Sequence, residues 1–184
     1  MKRFITYFII LAFIVTTFVA CSKPQNSEET TKTLKEIEIT STSLNSEGKW
    51  KSIITSSDGK NKSPQLSWTP VESASYYAIY MFDITAGNWC HWIAKDVKVT
   101  ELELGAELEN SQYVGPYPPR GVHTYEVRVF ALKDSPDSYL GRFDNVNPSI
   151  DDIIAALDTS KGTKGNIIAS GVLRGSYETG DIVE

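Results

Sequence analysis

The sequence predicts an all-β domain, folded as an antiparallel sandwich. Apolar and polar residues alternate in several segments, as in residues 125–129, where Tyr, Val and Val are separated by Glu and Arg. This period of two is typical of strands with one buried face. Clusters of turn-forming residues, such as 56–59, 86–88 and 134–137, separate these segments. Their spacing favours an antiparallel sandwich.

The strands are predicted in order from residue 36 onward. The run 76–82, Tyr-Tyr-Ala-Ile-Tyr-Met-Phe, is apolar throughout, which suits a strand covered on both faces in the middle of a sandwich. Each other predicted strand contains an apolar pair or an alternating stretch. These strands lie at Ile37 and Ile39, 52–55, Leu66 and Trp68, 90–95, 97–104, 125–129 and 166–173. The glycines at positions 162, 165, 171 and 175 are interpreted as turns and strand breaks.

One helix is predicted, at residues 150–157. Ser149 precedes it as a cap, Asp151 and Asp152 lie in its first turn, and apolar residues recur at positions 150, 153, 154 and 157. An amphipathic membrane helix is the alternative, but the polar side carries Asp rather than Lys or Arg. A helix packed against the core is therefore favoured.

Residues 1–20 resemble a bacterial lipoprotein signal peptide. Lys2 and Arg3 give a positive start, and residues 4–19 carry no charge. Cys21 follows small or apolar residues, as in the lipobox, where the cysteine is lipid-modified and the chain is cut directly before it. An uncleaved membrane anchor is the alternative, because the run is barely long enough to span a bilayer. We expect a protein of the bacterial cell envelope, outside the cytoplasm and lipid-anchored to a membrane.

The remaining residues are predicted to form a tether and one domain. Residues 21–35 are mostly polar and cannot bury much surface, which is typical of a flexible tether. Residues 36–184 suffice for one domain with a sizeable core. Cys90 is the only cysteine besides Cys21, so with Cys21 lipidated no intramolecular disulfide can form. Cys90 itself is interpreted as an inert apolar residue rather than a nucleophile.

Composition and charge disfavour several classes of function. The formal net charge is −5, and loss of Lys2 and Arg3 would make it about −7, whereas nucleic-acid binding requires a surplus of Lys and Arg. The chain has two histidines and no Cys-x-x-Cys, His-Glu-x-x-His or phosphate-binding glycine loop. We therefore expect no metal and no cofactor. No Gly-x-Ser-x-Gly turn supports a serine nucleophile either.

Both histidines lie in unusual sequence contexts. His91 stands in Trp-Cys-His-Trp at the start of a predicted strand, and His123 ends the stretch Gly-Pro-Tyr-Pro-Pro-Arg-Gly-Val-His, which Thr-Tyr follows. With Ser-Pro-Gln-Leu-Ser-Trp at 63–68 and Asp83 at the end of an apolar run, these motifs resemble the phosphatidylethanolamine-binding protein family in order and spacing. The resemblance covers most of residues 36–179 and is closest to the bacterial Raf-kinase-inhibitor-like branch.

The resemblance implies a Greek-key β-sandwich with one or two short helices and a small anion pocket at one end. Family members bind phosphate-like and carboxylate groups there, including phosphoethanolamine head groups. Several act as inhibitors of kinases or proteases, and no catalytic activity is generally associated with the fold. The residues that the resemblance places in the pocket are Asp83, His91, Pro118, Pro119, His123 and Tyr125.

The chemistry of these residues agrees with an anion pocket. Two protonated imidazoles can offer up to four N–H donors to a phosphoryl oxygen, and a neighbouring carboxylate raises the pKa of a histidine. Pro118 and Pro119 fix the shape of their loop, and Tyr125 would add a hydroxyl. Outside the motif, each histidine would more often be a packing residue, and Asp83 could be merely a turn residue.

The sequence departs from the family where most members have Asp-Pro-Asp-Ala-Pro. Residues 83–87 are Asp-Ile-Thr-Ala-Gly, so Thr85 replaces the second carboxylate and both prolines are missing. Thr124 stands where an arginine is usual, and Tyr117 where a cysteine is frequent. The loss of a carboxylate removes repulsion from an anionic ligand, whereas the loss of the prolines loosens the loop that shapes the pocket.

Three hypotheses follow for the function. The first is a membrane-tethered, non-enzymatic domain that binds a small phosphorylated or otherwise anionic ligand at His91 and His123, with Asp83 orienting one imidazole. The second is an inhibitor or interaction module for a protease or kinase, with a vestigial cavity. The third is a hydrolase with one histidine as general base, which is disfavoured because no partnered nucleophile is visible.

Overall fold

The computed structural model describes residues 34–184. These residues form eleven strands, one α-helix and two short 3₁₀-helices. The strands are β1 (Lys35–Glu36), β2 (Ile39–Thr40), β3 (Leu66–Trp68), β4 (Tyr76–Asp83), β5 (Trp89–Val97), β6 (Glu101–Leu102), β7 (Ser111–Tyr113), β8 (His123–Leu132), β9 (Thr159–Ser160), β10 (Thr163–Lys164) and β11 (Ile167–Tyr177). The helix α1 is Ile150–Leu157, and the 3₁₀-helices are Ser52–Ile54 and Ile84–Ala86.

The strands form a large and a small sheet that share one core. The large sheet has the order β1-β11-β8-β4-β5-β7 and the small sheet the order β2-β3-β6, while β9 and β10 form a separate hairpin. Within the described part of the chain, every pair is antiparallel except β1 with β11. This arrangement confirms the predicted antiparallel sandwich.

The long strands β8 and β11 define the two ends of the large sheet. Tyr177, the last residue of β11, pairs with His123, the first residue of β8. Ile167 begins β11 at the other end, and β1 joins the sheet there, where Lys35 pairs with Ala169. We call the end that contains His123 the histidine end of the sheet.

The central strand β4 is covered on both faces, as its apolar run predicts. Alternate residues point into the space between the two sheets, where they pack with side chains such as Trp50 and Leu66. The others pack against α1 and the chain that follows β8. The first set is Tyr77, Ile79 and Met81, and the second set is Ala78, Tyr80 and Phe82.

The helix α1 has the predicted bounds, cap and apolar face. The Ser149 hydroxyl oxygen accepts a hydrogen bond from the Asp152 backbone N–H at 3.1 Å, which satisfies one of the free donors in the first turn. Ile153 and Leu157 are buried in the same cluster as Tyr80. The helix thereby closes the second face of the large sheet.

Two of the predicted strands are wrong. Residues 52–55 form a 3₁₀-turn closed by hydrogen bonds between backbone groups three residues apart, so Ile54 is buried there without strand pairing. In residues 97–104 only Val97, which ends β5, and Glu101–Leu102 pair as strands. Val99 and Leu104 point to solvent, so the alternation of apolar residues there does not mark a buried face.

The glycines at 171 and 175 lie inside β11, and their interpretation as strand breaks is wrong. A Cβ on Gly171 would lie 2.1 Å from the backbone oxygen of Ile37, and a Cβ on Gly175 would lie 2.3 Å from the Leu44 side chain. The chain before β2 and the chain after β2 therefore both pass close to β11 where this strand has no side chains. The strand continues past its predicted end at 173 to Tyr177.

Candidate functional site

Asp83 is the last residue of β4 and makes hydrogen bonds in two directions. Its Oδ1 accepts from the backbone N–H groups of Thr85 at 2.9 Å and Ala86 at 3.1 Å, which caps the following 3₁₀-helix. Its Oδ2 accepts from Nδ1 of His123 at 2.6 Å. Asp83 is only 3% exposed. It therefore ends the strand as a turn residue and also orients an imidazole.

His123 reaches Asp83 because β4 and β8 are neighbours. Tyr125 pairs with Asp83 across these strands, which places the start of β8 beside the end of β4. The Thr124 backbone N–H donates to the Thr85 hydroxyl oxygen at 2.9 Å and fixes the strand there. The His123 side chain keeps 12% of its surface exposed, so the ring lies at the surface of the histidine end.

His91 is brought to the same place by a β-bulge in β5. Met81 of β4 pairs with Trp92, but the next residue, Phe82, pairs with Cys90. His91 is therefore the extra residue of the bulge. A bulge turns a side chain out of the strict alternation of a strand and is common beside functional sites.

Both imidazoles keep only Nε2 available for a ligand. Nδ1 of His91 lies 2.9 Å from the Val114 carbonyl oxygen, and because a carbonyl can only accept, this nitrogen carries the proton. Nδ1 of His123 is bound to the Asp83 carboxylate in the same way. The prediction of four N–H donors is therefore wrong, since the protonated pair can offer two.

Burial holds the pKa of His91 below its usual value. The Val114 carbonyl and the carboxylates of Asp83 and Asp144 act in the opposite direction without outweighing burial. The neighbouring carboxylates do act to raise the pKa of His91, as expected, but the net shift is downward because burial is the larger effect. At neutral pH this imidazole is uncharged, with a lone pair on Nε2.

The Tyr125 ring lies beside both imidazoles. The ring centroids of His91 and Tyr125 are 5.3 Å apart at an interplanar angle of 74°, and those of His123 and Tyr125 are 6.5 Å apart at 27°. The Tyr125 hydroxyl is buried and lies near the Asp83 carboxylate. Burial, together with the charge and the hydrogen bonding of Asp83, raises its pKa, so the hydroxyl keeps its proton. We call Asp83, His91, His123 and Tyr125 the His91–His123 site.

Pro118 and Pro119 lie in the loop between β7 and β8, directly before His123. Pro118 is buried and its carbonyl accepts a hydrogen bond from the Thr179 hydroxyl at 2.7 Å, whereas Pro119 is exposed. The base of the loop is held at Gly115, whose N–H donates to Asn61 Oδ1 at 2.6 Å. The loop therefore has a fixed base and an exposed tip.

Sequence reasoning missed Asp144. The chain at 143–146 runs along the start of β5, with bridges from Cys90 to Phe143 and from Trp89 to Val146. The Trp89 indole N–H donates to Asp144 Oδ1 at 3.2 Å. No motif marks Asp144, because only the fold brings this distant segment beside β5.

Other features of the described residues do not compete with this site. A hollow of about 520 Å³, lined by Tyr76, Lys98, Glu109 and others, lies at the start of β4, about 23 Å along that strand from Asp83 at roughly 3.3 Å per residue. It contains no histidine.

Burial raises the pKa of the Cys90 thiol to about 12, which supports an inert cysteine. Within residues 34–184 no cluster of His, Cys, Asp and Glu could hold a metal, and no helix is long and apolar enough to cross a membrane.

Comparison with known proteins shows which family the chain belongs to. The sequence model of the family described as "Phosphatidylethanolamine-binding protein" matches residues 38–178, a range that includes the whole His91–His123 site. The chain belongs to the phosphatidylethanolamine-binding protein family. The predicted resemblance is thereby confirmed, and so is the sandwich that it implies.

Individual relatives of the family agree with this assignment. The UPF0098 protein of Methanothermobacter thermautotrophicus is 27% identical over 143 residues, which are 67% of this chain and 87% of the relative. A homologue from Chlamydia trachomatis has a TM-score of 0.61 at 23% identity, and Escherichia coli YbcL has a TM-score of 0.59 at 20% identity. Each of these two structures aligns with 78% of this chain over 98% of its own length. At such identities they establish the fold alone.

Proposed function

We propose that this member of the phosphatidylethanolamine-binding protein family is a membrane-tethered, non-enzymatic domain that binds a small phosphorylated or otherwise anionic ligand at the His91–His123 site. The observation that carries the proposal is that Nδ1 of each imidazole is hydrogen-bonded to an oxygen of the protein. Asp83 and the Val114 carbonyl fix the two rings, and Nε2 of each ring is left for a ligand.

This arrangement suits a tetrahedral anion. Protonated Nε2 atoms donate charge-assisted hydrogen bonds to phosphoryl oxygens. Asp83 holds the His123 ring through the bond to Nδ1 and so leaves its Nε2 for the ligand. Because the rings are already oriented, little conformational entropy is lost when the ligand binds.

Anion binding is expected to strengthen as the pH falls. Since burial lowers the pKa of His91, the free site lacks this proton at neutral pH and must take it up when an anion binds. Affinity for methanesulfonate, whose charge is constant over this range, should rise by up to about tenfold per pH unit between pH 8 and 6. Calorimetric titration at several pH values, in buffers of different ionisation enthalpy, measures the affinity and the proton uptake.

Circular dichroism at each pH serves as the control for an intact fold. Failure of methanesulfonate, phosphate and phosphoethanolamine to bind at any pH would refute the proposed function. It would favour the alternative of a protease- or kinase-binding module, for which the exposed Tyr117 and Val122 beside the two prolines provide a surface.

The tether is proposed from the sequence alone, because Cys21 lies outside the described residues. What supports it is the charge-free run 4–19 followed by Cys21. The variant Cys21→Ser should move the protein from the membrane to the soluble fraction of cells, whereas Cys90→Ser should not. Equal membrane association of Cys21→Ser and the unaltered protein would contradict lipid anchoring.

A further inference from the structure

Asp144 is fixed beside the start of β5. Its backbone N–H donates to the Cys90 carbonyl at 2.9 Å, and its Oδ1 accepts from the Trp89 indole at 3.2 Å. Trp89 and Cys90 are the two residues directly before His91. A carboxylate from a distant segment is therefore held next to one of the two imidazoles.

The charge of this carboxylate is not neutralised by a neighbour. Asp144 is exposed, and within residues 34–184 no lysine, arginine or histidine forms an ion pair with it. The charge is near enough to raise the pKa of His91 against the larger effect of burial. An anion bound at Nε2 of His91 would therefore be repelled by Asp144.

Asp144 thus restores a negative charge that the sequence lacks at Thr85. The expectation from the sequence was that loss of the second carboxylate would remove repulsion from an anionic ligand. Asp144 reintroduces that repulsion from a different segment. Unlike Asp83, which is buried at the end of β4, Asp144 is exposed.

We propose that Asp144 sets the charge selectivity of the His91–His123 site, favouring ligands of net charge −1 over dianions. This inference rests on the proposed anion binding at that site. The repulsion from a fixed charge is proportional to the charge of the ligand, so Asp144 penalises a dianion twice as strongly in free energy as a monoanion. Asp144 thereby shifts the preference of the site from phosphate dianions toward phosphodiesters and phosphate esters that carry a balancing cationic group.

The variant Asp144→Asn removes the charge and keeps an oxygen that can accept from the Trp89 indole. Methanesulfonate and sulfate are both tetrahedral anions, with charges −1 and −2 that stay constant between pH 5 and 8. In the full-length protein, the substitution should increase methanesulfonate affinity about threefold and sulfate affinity about ninefold, the square of the first factor. Calorimetry with both anions, on the unaltered protein and the variant, measures the two factors.

Two control variants accompany this comparison. Asp144→Glu keeps the charge and should retain the selectivity of the unaltered protein. Glu109→Gln removes an exposed charge at the distant hollow near Tyr76 and should leave both affinities unchanged.

The selectivity proposal would be overturned if Asp144→Asn changed the affinities for methanesulfonate and sulfate by the same factor, or lowered both. Either result would indicate a purely structural role of Asp144, because such a role does not depend on the charge of the ligand. If neither anion binds to the unaltered protein, the selectivity proposal fails, and the proposed function fails as well only if phosphate and phosphoethanolamine also do not bind.

Discussion

Gly115→Ala is expected to lower the free energy of unfolding by roughly 3–5 kcal/mol. A Cβ on Gly115 would lie 2.1 Å from the Ile54 carbonyl oxygen and 2.7 Å from the Ser56 backbone nitrogen. Both atoms belong to the backbone, so the clash can be relieved only by moving a chain segment. Thermal unfolding should show a melting temperature lower by roughly 10–15 °C for a domain of this size.

The same substitution should also weaken anion binding, because Gly115 follows Val114, the residue that holds His91. Gly121→Ala is the matched control in the same loop. Gly121 has a φ of +70° but no neighbouring atom within 4 Å of a Cβ, so only the backbone cost of about 1–2 kcal/mol is expected. Equal melting temperatures for the two variants would show that the loop has room for a side chain at position 115.

His123→Ala is expected to weaken phosphate binding by about 10- to 150-fold, which corresponds to the loss of one charge-assisted hydrogen bond. The substitution also leaves the Asp83 carboxylate, which is 3% exposed, without its imidazole partner. That carboxylate would then add to the repulsion of an anion. Calorimetric titration with phosphate and with phosphoethanolamine measures the effect.

Val122→Ala is the control for this variant, because Val122 is the neighbouring residue and its side chain is 60% exposed. It should bind both ligands as the unaltered protein does. Equal affinity of His123→Ala and the unaltered protein would mean that this imidazole takes no part in binding. Thermal unfolding of both variants establishes that they are folded under the conditions of the titration.

The long elements of the fold could be predicted from local sequence patterns. The run 76–82 is apolar at every position because β4 is buried on both faces, and α1 carries its own cap and periodicity. The short strands could not be predicted in this way. A pair such as Glu101–Leu102 is a strand only because β3 lies beside it, and alternation continues past it into exposed residues.

Glu126 shows why burial of a charged residue could not be predicted. Alternation in β8 places it on the polar face, yet it is only 2% exposed. Arg128 and Arg174 bond to its two carboxylate oxygens at 2.6 Å. Burial raises the pKa of Glu126, but these hydrogen bonds outweigh burial and hold the pKa below its usual value. Arg174 comes from β11, so the pair depends on strand register.

The candidate site, too, could be predicted from local sequence only in part. The Pro-Pro and histidine motif indicated which residues to consider, and the structure brings Asp83, His91, His123 and Tyr125 together. The bulge at His91 and the approach of Asp144 depend on pairing between distant segments. Local sequence contains no information on the bulge or on the position of Asp144. These two features nevertheless determine which atoms and charges a ligand at this site would meet.

The parallel pairing of β1 with β11 places the beginning of the described chain far from the two imidazoles. Lys35 joins the sheet beside Ala169, and His123 lies beside Tyr177, about 26 Å further along the strand at roughly 3.3 Å per residue. Leu34, the first described residue, therefore lies near the end of the large sheet that is opposite to the histidine end.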